Sequence, residues 1–377
     1  MTTLSTKCIY SLKNIPDTTF QSQEHVFPAC IGGKKKLPAG YVSDEVNALF
    51  SKLELNFARN TDIALQRAFY GPGKRGSLAP QDATKSEIQI ILHEGDRRIG
   101  LGYIKLSKPH AIDSVLFRKD TQALCFSLQP QDGVMREHLM DSFHKQLQSF
   151  CASNPIIFLP TDRLGELEYC LGFHKGKQYV AHAKTANRSA VISEVAAFVS
   201  AAITQLPGAE KSFSSHSESS SANPPQTVFD FAPQFNPNDY YRVLAKIAFN
   251  CLAHLKERYF VLQHAFDPIR EAIYKGTDVM CFFSQHDNSQ GSFGDIFKSL
   301  EANLDQKILN DKCHWILFSS SEKRLLCALG LYGFDQPHIF TLAENVDSDV
   351  SAAFICNWQT GIEKDLIIES QRLGVLS

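Results

Sequence analysis

Glu24 and His25 stand side by side in the stretch SQEHVFPACIGGKKKLPAGYVSDEVN, residues 22 to 47. Pro28, the pair Gly32-Gly33, three lysines and Asn47 follow them. Hydrolysis of a phosphodiester with one metal ion needs a base for water, a cation at the leaving oxygen and groups that fix both. His25 has the titration range of such a base, Glu24 offers an oxygen ligand to Mg²⁺ or Mn²⁺, and Asn47 offers a second oxygen or positions the imidazole.

Adjacent residues on one strand point to opposite faces, so a helix packed behind a hairpin has to complete this metal site. The run SDEVNALFSKLELNFARN supplies one, with Ser43 as cap, Asp44 and Glu45 in the first turn, and Leu49, Leu53 and Phe57 along one side. Asn47 and Glu54 share a face two turns apart, which makes Glu54 a further metal candidate. Pro28 and Gly32-Gly33 return the chain from the histidine strand, and Lys34, Lys35 and Lys36 are then placed to meet phosphates. In GPGKRG (71 to 76), Lys74 and Arg75 form a basic loop suited to a nucleic-acid backbone. It lacks the strand-to-helix context and the ending of a P-loop.

These elements, in this order, resemble the HNH endonuclease family, in the subgroup where a Cys-rich start is followed by E-H-V/I-x-P, then G-G, then C-x-x-C-N. The likeness covers roughly the first 60 residues, extending toward YGPGKRG. It implies a ββα-metal module, a divalent cation and a nucleic-acid substrate, DNA in the first place. CIYSLKN (8 to 14) and SDEVN (43 to 47) sit where that subgroup places two C-x-x-C pairs. Here Ser11, Ser43 and Val46 replace three of the four cysteines and only Cys8 remains. A single cysteine does not hold structural zinc, so none is expected, and apolar contact at Val46 is expected in its place.

The remaining chain is α+β in pattern. IQIILHEG and RRIGLGYIKLS (88 to 107) read as a hairpin, residues 131 to 152 as a helix, PIIFLP as a short buried strand and residues 189 to 205 as another helix. A Ser/Pro-rich stretch at 207 to 228 reads as a linker. After it, Asn236-Pro237 opens a helix, Asp267-Pro268 opens another that Gly276 closes, and four strand-like runs follow, predicting an antiparallel sheet. The domains expected are therefore 1 to 76 (HNH-like), 77 to 206 (α+β), the linker, and 229 to 377 (α+β).

The formal net charge of −2 conceals ten Lys/Arg against six Asp/Glu in residues 1 to 80, a bias that suits a polyanion partner for this segment. Ten cysteines without a C-x-x-C pair read as reduced thiols. With no apolar run of membrane length and no secretory pattern, a cytoplasmic location and no membrane partner are expected. The larger regions are free to recognise a ligand, grip nucleic acid or drive assembly into a homo-oligomer. By analogy of layout they suggest a defence or mobile-element context. Two readings follow: a metal-dependent HNH-like endonuclease with accessory domains, or a catalytically degenerate HNH-like module that binds nucleic acid or protein.

Overall fold

A computed structural model describes residues 6–93, 98–121, 123–128, 136–150, 155–205, 227–230, 235–283, 304–305, 308–310, 312–333, 337–369 and 372–375. The fold is mixed α+β, as the sequence pattern predicts. It divides into two compact units, residues 1–84 with 233–377, and residues 85–232. The HNH-like segment is thus built into the same body as the C-terminal elements, whereas the pattern along the chain separates them. The linker expected at 207 to 228 lies outside the described residues except for its last two.

In the first unit the chain makes a bridge between Lys7 and Asn14 and another between His25 and Lys36. It then turns through a short 3-10 segment, Ala29–Ile31, into α1 (Asp44–Asn60) and α2 (Asp62–Tyr70). The expected histidine hairpin is reduced to that His25 bridge, flanked by Val26 N–H to Lys35 O at 2.9 Å and Leu37 N–H to Glu24 O at 2.8 Å. Ser43 occupies the cap position of α1 without a side-chain cap bond. Asp44 organises the entry instead, accepting from Thr19 Oγ1, from the backbone of Gln21 and Ser22, and from Ser22 Oγ. These bonds hold its carboxyl far below the usual carboxylate range.

The second unit runs from β1 (Gln89–His93) and β2 (Arg98–Lys105) through β3 (Lys108–Ile112), β4 (Ser114–Arg118), β5 (Ala123–Ser127), α3 (Arg136–Gln148), β6 (Ile156–Thr161), β7 (Glu168–His174), β8 (Lys177–Ala183) and α4 (Arg188–Gln205) to β9 (Thr227–Asp230). Among the described residues they form a sheet of order β3-β2-β1-β9 and another of order β5-β4-β7-β8-β6, antiparallel except for β6 beside β8. The turn of the hairpin expected at 88 to 107, and residues 131 to 135 and 151 to 152 of the expected helix, lie outside the described residues. Leu101, Ile112, Leu116, Cys170, Tyr179 and Ala181 fill the space between the sheets, and a Cβ at Gly172 would meet Leu101 at 2.8 Å, so glycine sets their approach there.

Back in the first unit, α5 (Pro237–Val261) begins as its sequence predicts, with Asn236 accepting from Asn238 N–H at 2.9 Å and Pro237 in the first turn. α6 (Asp267–Lys275) starts at Asp267 rather than being capped by it, and Gly276 ends it in the left-handed conformation, φ 76°. A sheet follows, order β12-β11-β10-β13-β14-β15, from β10 (His314–Ser321), β11 (Arg324–Gly330), β12 (His338–Ala343), β13 (Ser351–Asn357), β14 (Ile362–Glu369) and β15 (Arg372–Val375). It is antiparallel throughout; β14 and β15 are additions to the strands read from the sequence. α5 is buried almost all round between Tyr10, Phe27, Phe50 and Phe57 of the N-terminal segment and Ile316, Phe318, Leu329, Phe340 and Phe354 of the sheet. A helix buried on every face along residues 242–253 has to be central, whatever polar side chains it carries.

Candidate functional site

α5 carries a polar residue every four positions: Arg242, Lys246, Asn250 and His254. That spacing stacks them along one stripe of an otherwise apolar helix. Burial obliges each to find a partner. Arg242 donates to the carbonyls of Ile273 and Tyr274, both at 2.5 Å, and His254 Nε2 meets Asp365 at 3.0 Å. Asn250 donates to His25 O at 2.9 Å and accepts from Tyr10 Oη at 2.7 Å.

Lys246 meets the predicted site itself. Its Nζ donates to Glu24 Oε1 at 2.5 Å and to Glu54 Oε1. The Lys246 side chain is 1 % exposed, Glu24 4 % and Glu54 18 %. Burial disfavours the ammonium, yet the two carboxylates more than reverse this and hold its pKa above the ordinary lysine value. For Glu54, burial outweighs the pull of Lys246 and raises its carboxyl. The ammonium also lies 5.6 Å from the centre of the Phe50 ring.

The structure therefore brings together Glu24 and Glu54, two of the residues assigned to a metal, and puts an ammonium between them. Asn47 is elsewhere: its Nδ2 donates to Ser22 Oγ at 2.8 Å, part of the network around Asp44. His25 is half-buried, its N–H donates to Glu24 Oε1 at 3.1 Å, and burial lowers its pKa, with Lys36 and Lys246 adding to the effect against Glu24. Among the described residues no three His, Cys, Asp or Glu side chains gather as a metal-ligand set. Two carboxylates already sharing a buried ammonium, with Asn47 turned to Ser22, do not fit a divalent cation.

Where zinc ligands stand in the HNH subgroup, Cys8 Sγ accepts from Ser43 N–H at 3.4 Å, and Cys8, Ser43 and Val46 are all fully buried. Of the lysines assigned to phosphate, Lys35 is consumed internally. Its Nζ is 2.9 Å from both oxygens of Asp365, and its N–H donates to Glu363. Lys34, Lys36 and Lys74 are exposed; the side chain of Arg75 lies outside the described residues. The loop carrying Lys74 packs over the Gly32 turn, with the Cβ position of Gly76 3.0 Å from Ala29 O. Lys312 lies 4.8 Å from the ring centre of Tyr70, which is 44 % exposed, so cations and an open aromatic ring share this face.

The apolar periodicity of α5 predicts the helix but hides the roles of Lys246 and Asn250. The signal was the polar stripe itself, the wrong type of residue at four-residue spacing in a helix with no hydrophilic side. No helix among the described residues is long and apolar enough to cross a membrane. Compared with protein-family models, curated proteins and solved structures, the chain matches none.

Proposed function

We propose that the unit formed by residues 1–84 and 233–377 is a binding module on an HNH-like scaffold that holds nucleic acid without cleaving it. The observation that carries this reading is the ammonium of Lys246 bonded to both Glu24 and Glu54. A divalent ion taking the same oxygens would lie about 4 Å from that charge, a repulsion of about 8 kcal/mol at an effective dielectric of about 20. The scaffold side of the reading is supported by the Cys8–Ser43 contact, the glycine turn and α1, which keep the family's order of elements after its zinc ligands have gone. The binding side is supported by the exposed Lys34, Lys36 and Lys74 around that turn and by Tyr70 beside Lys312.

The test incubates the full chain with plasmid, single-stranded DNA and RNA, with Mg²⁺, Mn²⁺ or chelator, and titrates Mn²⁺ into wild type and Lys246→Ala. Expected are no cleavage in any condition, no specific Mn²⁺ binding by wild type, Mn²⁺ binding gained in Lys246→Ala, and oligonucleotide affinity reduced by Lys34→Glu with Lys74→Glu. Metal-dependent cleavage that disappears in His25→Ala would overturn the reading and restore the endonuclease.

A further inference from the structure

Two hairpin tips of the 85–232 unit converge on one lysine. The β2–β3 hairpin turns at Leu106-Ser107, φ 50° and 60°, between Lys105 and Lys108. The β7–β8 hairpin turns at Lys175-Gly176, φ 50° and 73°, between His174 and Lys177. Positive φ at both central positions matches the twist of the flanking strands, but Leu and Lys adopt it against steric cost. Lys85 joins the tips: its backbone pairs with Lys105, and its Nζ is 2.7 Å from His174 Nε2.

An aromatic stack lies beneath this lysine. Lys85 Nζ is 4.6 Å from the Tyr103 ring centre, His110 stacks on Tyr103 at 5.1 Å and 14°, and His174 leans on it at 5.3 Å. Leu106, Lys108, His110, Lys175 and Lys177 are exposed. Burial first, then Lys85 and Lys175, hold His174 down at about 4, so at neutral pH it accepts from the Lys85 ammonium rather than repelling it. Burial first, then Lys175 and Lys177, lower Lys85 against the opposing carboxylate of Glu87. The edge thus combines crowded cations, a ring stack ending in an exposed imidazole, and an exposed leucine held in a left-handed turn.

A partner that relieves the crowding has to be anionic, and one that uses the exposed ring has to present flat faces. Single-stranded nucleic acid does both, because its phosphates repeat along the strand while its bases remain free to stack. We infer that the paired tips of the β2–β3 and β7–β8 hairpins bind single-stranded nucleic acid, with Lys108, Lys175 and Lys177 on phosphates and a base stacked on His110. No residue of the first unit is used, so the inference is independent of the function proposed above.

The test measures anisotropy of short fluorescent single strands and duplexes on the full chain, with heparin and a phosphopeptide as competitors and circular dichroism as the folding control. Reversing Lys108, Lys175 and Lys177 to Glu is expected to weaken single-strand binding about tenfold or more and to flatten its salt dependence. The milder Lys175→Gln with Lys177→Gln gives a smaller loss in the same direction should the triple variant misfold. His110→Ala is expected to weaken single-strand binding about fivefold and leave heparin binding unchanged. Both effects should persist in a Lys34→Glu, Lys74→Glu background. Wild-type affinity in the folded lysine variants overturns the inference, as does equal loss of heparin in His110→Ala, or preferential displacement by the phosphopeptide. If, in the Lys34→Glu, Lys74→Glu background, single-strand binding no longer responds to reversal of Lys108, Lys175 and Lys177, it belongs to the first unit and not to this edge.

Discussion

Lys246 Nζ donates to Glu24 Oε1 at 2.5 Å across 222 residues of chain, and the same nitrogen reaches Glu54. One buried cation thereby closes the N-terminal segment onto the central helix. The energetic worth of such a group lies less in its Coulomb attraction than in what its removal would leave behind.

Lys246→Met is therefore expected to destabilise the first unit by about 3–5 kcal/mol, measured by urea unfolding at neutral pH. The Glu54 carboxyl, already raised by burial, would lose the ammonium that opposes that rise. Its contribution would be complete below the unfolded carboxylate pKa and lost as pH rises through the raised one. The variant should thus lose less relative to wild type at pH 5 than at pH 8. A pH-independent difference would mean that the acids are solvated in its absence.

The two acids are unequal. Glu24 is the more deeply buried and also accepts from His25 N–H, whereas burial already disfavours the charge on Glu54. Glu24→Gln should cost about 2 kcal/mol and Glu54→Gln about 1 kcal/mol or less. Reversal of this order in chemical denaturation would show that Glu54 is the principal counter-ion.

His314 makes the fold acid-sensitive. Its ring is fully buried and stacked against Phe27; Nε2 donates to Ile31 O at 2.9 Å while Nδ1 accepts from Tyr332 N–H at 3.0 Å. Protonating Nδ1 would set donor against donor, and burial holds the pKa at about 4 against an ordinary 6.5. The unfolded chain takes up this proton first, so the stabilisation is whole above 6.5 and is lost as pH falls toward 4. Between pH 7.5 and 5 the loss is about 2 kcal/mol from this residue. His338, held down at about 4 by burial, adds in the same direction. Denaturation of wild type and His314→Gln at both pH values checks it: the variant should show the smaller pH dependence.

Gly32 and Gly176 separate space from backbone conformation. At Gly32, φ is 100° and an added Cβ would lie 2.4 Å from Trp358 Cβ, whereas at Gly176, φ is 73° and nothing lies within 4 Å. Gly32→Ala should cost about 3 kcal/mol and Gly176→Ala about 1 kcal/mol in thermal or urea unfolding. Equal losses would mean that the Trp358 contact yields.

The local grammar of the chain was legible where neighbouring residues dictate structure. Asn236-Pro237 opens α5, Gly276 ends α6, and alternating β-branched residues give β1 and β2. Glu24 and Glu54 were legible as acids in the candidate site, though Glu54 was expected beside Asn47. What occupies the space between the two acids was not, because that depends on a helix beyond an entire intervening unit. The role expected of Lys35 failed for the same reason: Asp365, its partner, is 330 positions away. Asn47 went astray on a shorter scale, since Asp44 orders the 19 to 22 loop and delivers Ser22 to its amide.

The long separation between acids and ammonium sets an order of events during synthesis. A ribosome delivers Glu24 and Glu54 early, then the whole stretch from 85 to 232, and only afterwards the helix that neutralises them. The opening segment must wait, uncommitted, while the inserted unit emerges. Truncation before α5 therefore yields a nascent chain whose first 84 residues have nothing to close upon.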